Sequence, residues 1–432
     1  MIVVLSQGCA ANFGDGEKIA RILSKKSEVL FEFPETSVAT PAQLEAFYLN
    51  VCTVKGNAGA IKLLRKAAST YPNVPIYITG CTPKDFREVA VKAVPCVQFT
   101  SLKELEASTL SSSTEAIKSR SHNVLRESPY IGIVNIEEGC LDACAFCSTH
   151  LVKGRLHSFA PNVIVDQVQA LVDDGCLEIQ LTGQDCACYG FDIGTNLAEL
   201  TQRILTHVNG NYRIRLGMGN PRHVLGYQEA LLDCFTDERI YKFIHIPVQS
   251  GSENVLKAMN RRHTARDYAT LAHAFTERFS KFTLSTDLIV GYPGETAADF
   301  NDTLELLKET RPTVCNITRF VARPGTVAAH LESATSSTQH ASANLAVPDT
   351  VKHERSAILA ETFQQIALEN NREWIGDECT VITEKPGYRS GTTIARNTAY
   401  RPVAIQGSFT AGQTLRVRIT DAEPFALIAK SL

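Results

Sequence analysis

Three cysteines in one short run have a spacing that suits an iron-sulfur cluster. Cys140, Cys144 and Cys147 form a C-x3-C-x2-C triplet within EEGCLDACAFCSTH. Three thiolates at this spacing can bind three irons of a cubane 4Fe-4S cluster and leave the fourth iron without a protein ligand. An iron with an open position can bind a small molecule and reduce it, whereas a cluster with four cysteine ligands only transfers electrons. Phe146, between the second and third ligands, can shield such a cluster from water.

A structural zinc site is the alternative interpretation of this run. Zinc needs four ligands, usually in closed C-x2-C pairs, and the only extra candidate nearby is His150. The spacing therefore favours the iron-sulfur cluster.

Length and composition indicate a globular protein with several domains. The chain has 432 residues, 44% of them hydrophobic and 21% charged, and a formal net charge of -3. No apolar run approaches the ~20 residues of a membrane span, and the start MIVVLSQGC lacks the basic segment of a secretory signal. We therefore expect a cytoplasmic protein with no membrane association, in which 13 cysteines serve metal binding better than disulfides. The near-neutral charge restricts any RNA contact to a local surface.

A second set of three cysteines follows predicted strands in the first hundred residues. The apolar runs IVVL, FYLN and IYIT alternate with helical patterns, which predicts an open parallel α/β sheet. Cys9, Cys52 and Cys81 each lie just past one of these strands. Because the carboxyl ends of parallel strands meet at one edge, these thiols can converge there. A single buried cysteine is usually a packing residue, but three in equivalent places predict a second cluster.

The region after Pro129 repeats strand and helix six times. The predicted strands are YIGIVNIE, LEIQLTG, RIRLGMG, FIHIPVQ, LSTDLIVG and VCNITRF. This pattern predicts a partial β/α barrel with its chemistry at the carboxyl ends of the strands. Six strands instead of eight would leave a lateral opening for a macromolecular substrate.

With these two cysteine triplets, the sequence resembles the methylthiotransferase family of radical S-adenosylmethionine (SAM) enzymes. Motif residues around the amino-terminal cysteines agree with the family pattern: Gly8, Asn12, Asp15, Gly16, Glu17, Asn50, Val51, Thr53, Val54 and Gly80. Lys153-Gly154-Arg155 stands where many members have Arg-Gly-Arg, so a basic role remains while bidentate recognition by the first residue is lost. The C-x-C pair Cys186 and Cys188 matches no ligand motif. We interpret both as core or surface thiols, with redox activity as the alternative.

The resemblance also implies a binding site for SAM. Thr182, Gly183 and Gln184 stand in the place of the Gly-Gly-Glu motif that receives its amino group, and Gln249 and Asp287 end later strands near the ribose and adenine. In the family, the Cys140 cluster reduces SAM to methionine and a 5'-deoxyadenosyl radical, which takes hydrogen from C2 of an adenine. The cluster at Cys9, Cys52 and Cys81 then delivers sulfur that a second SAM has methylated.

The end of the chain has a different pattern. A helix is expected at roughly Val351 to Asn370, followed by short β-rich runs with glycines, which predict a small β-barrel that resembles a TRAM domain. Between residues 385 and 418 there is no Asp or Glu, and Tyr388, Tyr400 and Phe409 alternate with basic residues. These bases are candidate RNA contacts: Lys385, Arg389, Arg396, Arg401, Arg416 and Arg418. A barrel surface whose charges are merely solvated is the alternative.

The sequence thus predicts three domains: an α/β domain at 1-110, a radical SAM partial (β/α)6 barrel at 128-345 and a TRAM barrel at 373-432. Ser-rich segments at 101-121 and 333-348 would connect them.

The strings LTGQDCACYGFDIGTNLAEL and LGMGNPRHV look most like the archaeal and eukaryotic branch that modifies N6-threonylcarbamoyladenosine beside the anticodon of tRNA. The implied partners are the tRNA anticodon stem-loop, an electron donor and a sulfur donor. Alternatives within the family are isopentenyladenosine tRNA and a ribosomal protein, although a basic ribosomal protein would prefer an acidic TRAM surface. A two-cluster electron-transfer protein is the remote alternative and would need eight cluster ligands.

Overall fold

The computed structural model describes residues 1–34, 43–52, 57–110, 125–333 and 345–432. Most of both predicted Ser-rich connections, and the motif residues Thr53 and Val54, lie outside these ranges. Within them the chain forms a parallel sheet, a partial barrel and a closed β-barrel, so the expected α/β fold is confirmed. Among the described residues, no helix has the length and apolar character to cross a bilayer.

The amino-terminal part is a five-stranded parallel sheet in the order β2-β1-β3-β4-β5. Its strands are β1 (Ile2–Ser6), β2 (Val29–Leu30), β3 (Ala46–Cys52), β4 (Ile76–Cys81) and β5 (Gln98–Phe99). Its helices are α1 (Ala10–Leu23), α2 (Asn57–Thr70), α3 (Lys84–Ala93) and α4 (Leu102–Leu110).

Helices cover both faces of this sheet, which explains the continuous apolar runs of its central strands. Val3 and Leu5 pack with one group of buried residues, which includes Leu64 of α2, while the alternate residue Val4 packs with Ile19 of α1. Successive side chains of a strand point to opposite faces, so a strand that is buried on both sides must be apolar throughout.

The central part contains the six predicted strands in parallel, in two hydrogen-bonded sets, β6-β9-β10 and β11-β12-β13. A bridge between Ile214 and Ile240 links the sets. The strands of this part are β6 (Ile131–Asn135), β7 (Glu137–Glu138), β8 (His157–Ser158), β9 (Glu178–Thr182), β10 (Arg213–Leu216), β11 (Phe243–His245), β12 (Thr283–Val290) and β13 (Val314–Arg319). The helices are α5 (Thr149–Lys153), α6 (Pro161–Asp173), α7 (Leu197–His207), α8 (Pro221–Val224), α9 (Gln228–Cys234), α10 (Glu253–Ala258), α11 (Ala265–Arg278), α12 (Ala297–Thr310) and α13 (Val327–Ser333).

Local sequence signals begin the outer helices of the partial barrel. Thr264 and Thr296 precede α11 and α12, and each accepts the N–H of an aspartate three residues later, Asp267 or Asp299, whose carboxylate caps it in return. Such capping boxes satisfy two backbone donors that a helix start leaves open.

The carboxyl-terminal part begins with α14 (Asp349–Arg372), close to the predicted helix, which packs on the partial barrel through Leu359, Phe363 and Ile366. A closed five-stranded barrel follows in the order β14-β15-β16-β18-β17. Its strands are β14 (Glu378–Pro386), β15 (Thr392–Asn397), β16 (Pro402–Gln406), β17 (Thr414–Glu423) and β18 (Ala426–Ser431). The sequence patterns predicted four of these strands and missed β18.

The turn between β15 and β16 is buried under the amino ends of the partial-barrel strands. Arg401, only 4% exposed, donates to Thr283 Oγ1 at 3.2 Å, Asn371 Oδ1 at 2.5 Å and three further oxygens, those of Asn370, Phe282 and Thr313. The neighbouring Tyr400 hydroxyl donates to the buried Glu178 at 3.0 Å. The assignment of Arg401 as an RNA contact is therefore corrected, because its guanidinium joins the two barrels.

We expect Arg401→Ala to lower the free energy of unfolding by about 2–3 kcal/mol, because it leaves buried acceptors at this interface without donors. Arg416→Ala, on the exposed face of β17, is the control and should change it by less than about 0.5 kcal/mol. Urea unfolding followed by circular dichroism measures both. Equal effects of the two changes would contradict a structural role for Arg401.

Candidate functional site

The cysteine triplet that comes first in the chain lies at the carboxyl edge of the amino-terminal sheet. This first triplet consists of Cys9, Cys52 and Cys81. Cys9 is the residue before α1, and Cys52 and Cys81 are register partners at the ends of β3 and β4. Cys9 is exposed, whereas Cys81 is buried. The geometry that the strand-end argument expected is therefore present, with three soft sulfur donors at one edge.

Two glycines and two asparagines hold these cysteine loops together. Gly8 has φ +134°, and a Cβ there would lie 2.5 Å from Cys52 Cβ, so only glycine allows this approach. Gly80, with φ +89°, passes equally close to the carbonyl of Val51. Asn12 Nδ2 donates to the Asn50 carbonyl at 3.0 Å, and Asn50 Nδ2 donates back to the Asn12 carbonyl at 2.5 Å.

The three thiols are hydrogen-bonded in series. Cys9 donates to Cys52, and this hydrogen bond raises the pKa of Cys9. Cys52 donates to Cys81, and this hydrogen bond, helped by the positive charge of Lys153, lowers the pKa of Cys81.

The second triplet, Cys140, Cys144 and Cys147, lies in the loop after β6 and β7, above the carboxyl end of the partial barrel. Backbone hydrogen bonds fix this loop on two sides: the Ala145 N–H donates to the Met259 carbonyl, and the Ala145 carbonyl accepts from the Ala328 N–H, both at 2.9 Å. Phe146 packs with a cluster of buried apolar residues that contains Met259 and Tyr292. Its ring is thereby placed to keep water from the loop.

A guanidinium faces this triplet, and sequence reasoning did not find it. Arg261 Nη1 donates to Cys144 Sγ at 3.5 Å, and Nη2 donates to the Pro247 carbonyl at 2.7 Å. Hydrogen bonds to cluster sulfurs adjust reduction potential, so this position matters to a bound cluster. Nothing in the cysteine spacing points to a residue more than a hundred positions away.

A buried polar network anchors the same loop from α8. Asp142, between the first two cysteines, accepts from Arg222 Nη1 at 2.5 Å, Asn220 Nδ2 at 2.6 Å and His223 Nε2 at 3.1 Å. Burial raises the pKa of Asp142, but the hydrogen bond and charge of His223 outweigh that effect and leave the pKa lowered. These residues fall within LGMGNPRHV, which the sequence comparison used only to choose a branch.

The residues predicted to bind SAM at the end of β9 lie beside the second triplet. Thr182 accepts the Ile136 N–H through its carbonyl, and Gln184 Oε1 accepts the Gly139 N–H at 2.7 Å. Gly183 has no room for a side chain, because a Cβ would lie 2.1 Å from Glu137 Oε1. Burial raises the pKa of Glu137 to about 9. This stretch therefore holds the cysteine loop with backbone and amide contacts.

Gln249 and Asp287 lie together further along the same edge. Gln249 has φ 78°, and its N–H donates to the Asp287 carbonyl at 2.9 Å. Asp287 Oδ1 accepts from His245 Nε2 at 3.0 Å and from Asn316 Nδ2 at 2.7 Å. Burial raises the pKa of Asp287, but these hydrogen bonds outweigh it, so the carboxylate is favoured. Side chains from three neighbouring strands thus form one hydrogen-bonded polar cluster.

The two triplets are connected by an ion pair. Lys153 Nζ, in α5 just after the second triplet, lies 2.8 Å from Asp15 Oδ2 in α1. Asn135 Nδ2, at the end of β6, donates to Asp15 Oδ1 at 2.9 Å. Asp15 and Lys153 both belong to motifs that carried the family resemblance. These contacts bring the edge with Cys81 against the edge with Cys140.

The basic residues of the final barrel do not form the acid-free surface that the sequence suggested. Arg389 pairs with Glu423, Arg396 with Glu384, and both Arg416 and Arg418 with Glu378. Arg396 is half-buried, Tyr400 lies in the domain interface, and Phe409 packs on the barrel core; Tyr388 is 94% exposed. Lys385, Arg389, Arg416 and Arg418 remain exposed, and Lys430, the register partner of Arg418, adds a base that the sequence argument missed.

Comparison with known families agrees with this architecture. The Radical SAM superfamily model matches residues 134–307, and the TRAM domain model matches residues 372–432. The fold and the cysteine loop therefore define a radical SAM enzyme.

Relatives narrow the class further. The chain is 34% identical over 418 residues to a "Probable threonylcarbamoyladenosine tRNA methylthiotransferase" of Pyrococcus horikoshii, covering 94% of this chain and 93% of the relative. It is 41% identical over 297 residues to a protein of that name from Archaeoglobus fulgidus, covering 69% of this chain and 66% of that one. The human threonylcarbamoyladenosine tRNA methylthiotransferase is 30% identical, with 94% of this chain and 69% of that one covered. The chain belongs to this methylthiotransferase family.

A solved structure supports the fold alone. The radical SAM methyltransferase TsrM from Kitasatospora setae, with cobalamin and a 4Fe-4S cluster bound, superposes with a TM-score of 0.53 at 12% identity, covering 76% of this chain and 73% of that one.

We expect each cysteine triplet to account for half of the bound iron. Anaerobically reconstituted protein should carry about eight irons, and Cys140, Cys144 and Cys147 changed together to Ala should leave about four and abolish reductive cleavage of SAM. Ala at Cys9, Cys52 and Cys81 should also leave about four irons but keep the cleavage. Iron analysis and 5'-deoxyadenosine chromatography measure this. Cleavage in the first variant would overturn the assignment.

Proposed function

We propose that this chain adds a methylthio group to C2 of N6-threonylcarbamoyladenosine beside the anticodon of tRNA. Family membership supports the reaction, and the printed names of the archaeal and human relatives support the substrate. The observation that carries the proposal is the pairing of two three-cysteine edges through Asp15 and Lys153. One edge serves a radical reaction, and the other serves sulfur transfer to the same carbon.

Both edges have the donor set of a 4Fe-4S cluster with one open iron, because each supplies three thiols. When bound, the cluster at Cys140, Cys144 and Cys147 supplies the electron that cleaves SAM, and the one at Cys9, Cys52 and Cys81 supplies the sulfur site. The chain itself orients these groups: Arg261 neutralises negative charge at Cys144, and Lys153 does so near Cys81. Thr182, Gly183, Gln184, Gln249 and Asp287 form the proposed SAM-binding side of the site, and Phe146 shields the cysteine loop from water.

This chemistry requires two further partners, an electron donor and a sulfur donor. Reductive cleavage of SAM consumes an electron, and each product molecule removes one sulfur atom. A tRNA substrate also agrees with a cytoplasmic location.

We propose that the exposed bases of the final barrel bind tRNA phosphates. Arg416 and Arg418 alternate on the outer side of β17, and Lys430 lies beside Arg418. Arg416 and Arg418 share one acid, Glu378, and Lys430 adds a third base to this patch. Tyr388 is exposed with Lys385 near its ring, which makes it available to stack on a base.

We expect tRNA with threonylcarbamoyladenosine to be methylthiolated and tRNA with isopentenyladenosine to react at least about a hundredfold less. Site groups that hydrogen-bond a threonylcarbamoyl chain would be left unpaired by an isopentenyl chain. Nucleoside mass spectrometry after incubation with each tRNA measures the product. The variant with Ala at Cys9, Cys52 and Cys81 is the control, which should cleave SAM without making the methylthio product. Equal turnover of both tRNAs, or turnover of a ribosomal protein, would contradict the substrate assignment.

Arg416→Gln with Arg418→Gln should flatten the salt dependence of tRNA binding. Loss of two phosphate contacts reduces the slope of log K against log salt by about 1.5 units, because fewer counterions are released. The matched control is Arg278→Gln with Lys308→Gln, two bases that also pair with acids but on outer helices. Fluorescence anisotropy at several salt concentrations measures both. An identical slope in the two variants would remove this surface from the tRNA site.

A further inference from the structure

A fourth thiol lies against the second cysteine triplet. The Sγ atoms of Cys140 and Cys188 and a carboxylate oxygen of Asp185 all lie within 4.8 Å of one another. The Cys188 thiol donates to Cys140, and its sulfur accepts the N–H of Leu141. Cys188 is therefore held beside the cysteine loop by two contacts.

The position of Cys188 follows from a tight turn after β9. Residues Cys186–Cys188 form a 3-10 turn, in which the Asp185 side chain caps the N–H of Ala187. The two cysteines of the turn point to different partners, because Cys186 donates to the Leu181 carbonyl at 3.9 Å while Cys188 contacts Cys140. Both side chains are completely buried. Cys140 is half-buried and so more accessible to a small oxidant.

We propose that Cys140 and Cys188 form a disulfide when the cluster is lost by oxidation, with Cys188 as the resolving thiol. Hydrogen peroxide oxidises the Cys140 thiol to a sulfenic acid and is reduced to water; Cys188 sulfur then attacks that sulfur and releases a second water. Two thiols lose two electrons and two protons in total. The bond needs the two sulfurs, now within 4.8 Å, to close to about 2.05 Å.

The disulfide would have a protective consequence. A sulfenic acid without a neighbouring thiol is oxidised further to sulfinic acid, which dithiols do not reduce. A disulfide is reversed by dithiol reduction, so Cys140 returns as a cluster ligand. Until then the triplet offers only two thiols, and the radical cluster cannot be rebuilt. This inference rests on the proposed role of Cys140 as a cluster ligand.

The test uses the full chain with Cys9, Cys52 and Cys81 changed to Ala, so that only the second triplet can bind iron. The protein is stripped of iron, treated with one equivalent of hydrogen peroxide, alkylated and digested with trypsin without reduction. Mass spectrometry should find residues 127–153 linked to residues 156–203, and fragmentation should place the link at Cys140 and Cys188. Protein that keeps its cluster should not form the link.

Two further variants in this background separate the outcomes. After a second equivalent of hydrogen peroxide, Cys188→Ser should show no link, accumulate Cys140 sulfinic acid and lose iron uptake permanently, because each step from thiol to sulfinic acid consumes one peroxide. Cys186→Ser, in the same buried turn, should keep the link. Dithiothreitol should restore uptake from near zero to about four irons in the parent and in Cys186→Ser only. A link through Cys186, a link of Cys140 to Cys144 or Cys147, or equal recovery in Cys188→Ser would overturn the inference. If unoxidised parent protein binds no iron, the ligand assignment fails instead.

Discussion

The contact of Asp15 with Lys153 and Asn135 is the constraint on which the rest of the site depends. A methylthio transfer needs two cysteine triplets to serve one carbon, yet the triplets belong to separate sheets. Asp15 joins them by accepting from the residue that ends β6 and from the helix that follows the cysteine loop. The ion pair is largely shielded from water, so bulk screening weakens it less than it would an exposed pair. A rigid connection costs little entropy when the substrate enters.

The segments with a clear hydrophobic period made the fold predictable, whereas the short edge strands and β18 were missed. The six strands of the partial barrel and the three central strands of the first sheet carry apolar residues that are buried on one or both faces. β2 and β5 are two-residue edge strands, and β18 carries no strong signal of its own; they exist because a neighbour offers hydrogen-bond partners. Tertiary context of this kind overrides local propensity.

The candidate site divides in the same way. Cysteine spacing and strand ends pointed to both triplets, because those signals are local. Arg261, His223 and Asn316 contact the site from distant positions, and no spacing rule connects them to it. Arg401 shows the reverse error. Its place in an acid-free stretch suggested RNA, but its side chain is buried against the partial barrel. The stretch is also not acid-free in space, because antiparallel pairing of β14 with β17 brings Glu378 to face Arg416 and Arg418.

The cysteine loop must hold a reactive cluster and bind a new one when the cluster is lost, which explains the contacts that fix the loop. Its backbone is fixed by Met259 and Ala328, and Asp142 ties it to α8, so the loop keeps its shape around a cluster that oxidation can remove. A preformed loop lets a cluster bind without paying the ordering entropy again. However, it also keeps a bare thiol beside oxidants. Cys188 is the partner that would protect this thiol, because its Sγ lies within 4.8 Å of the Cys140 Sγ and the turn that holds it is capped by Asp185.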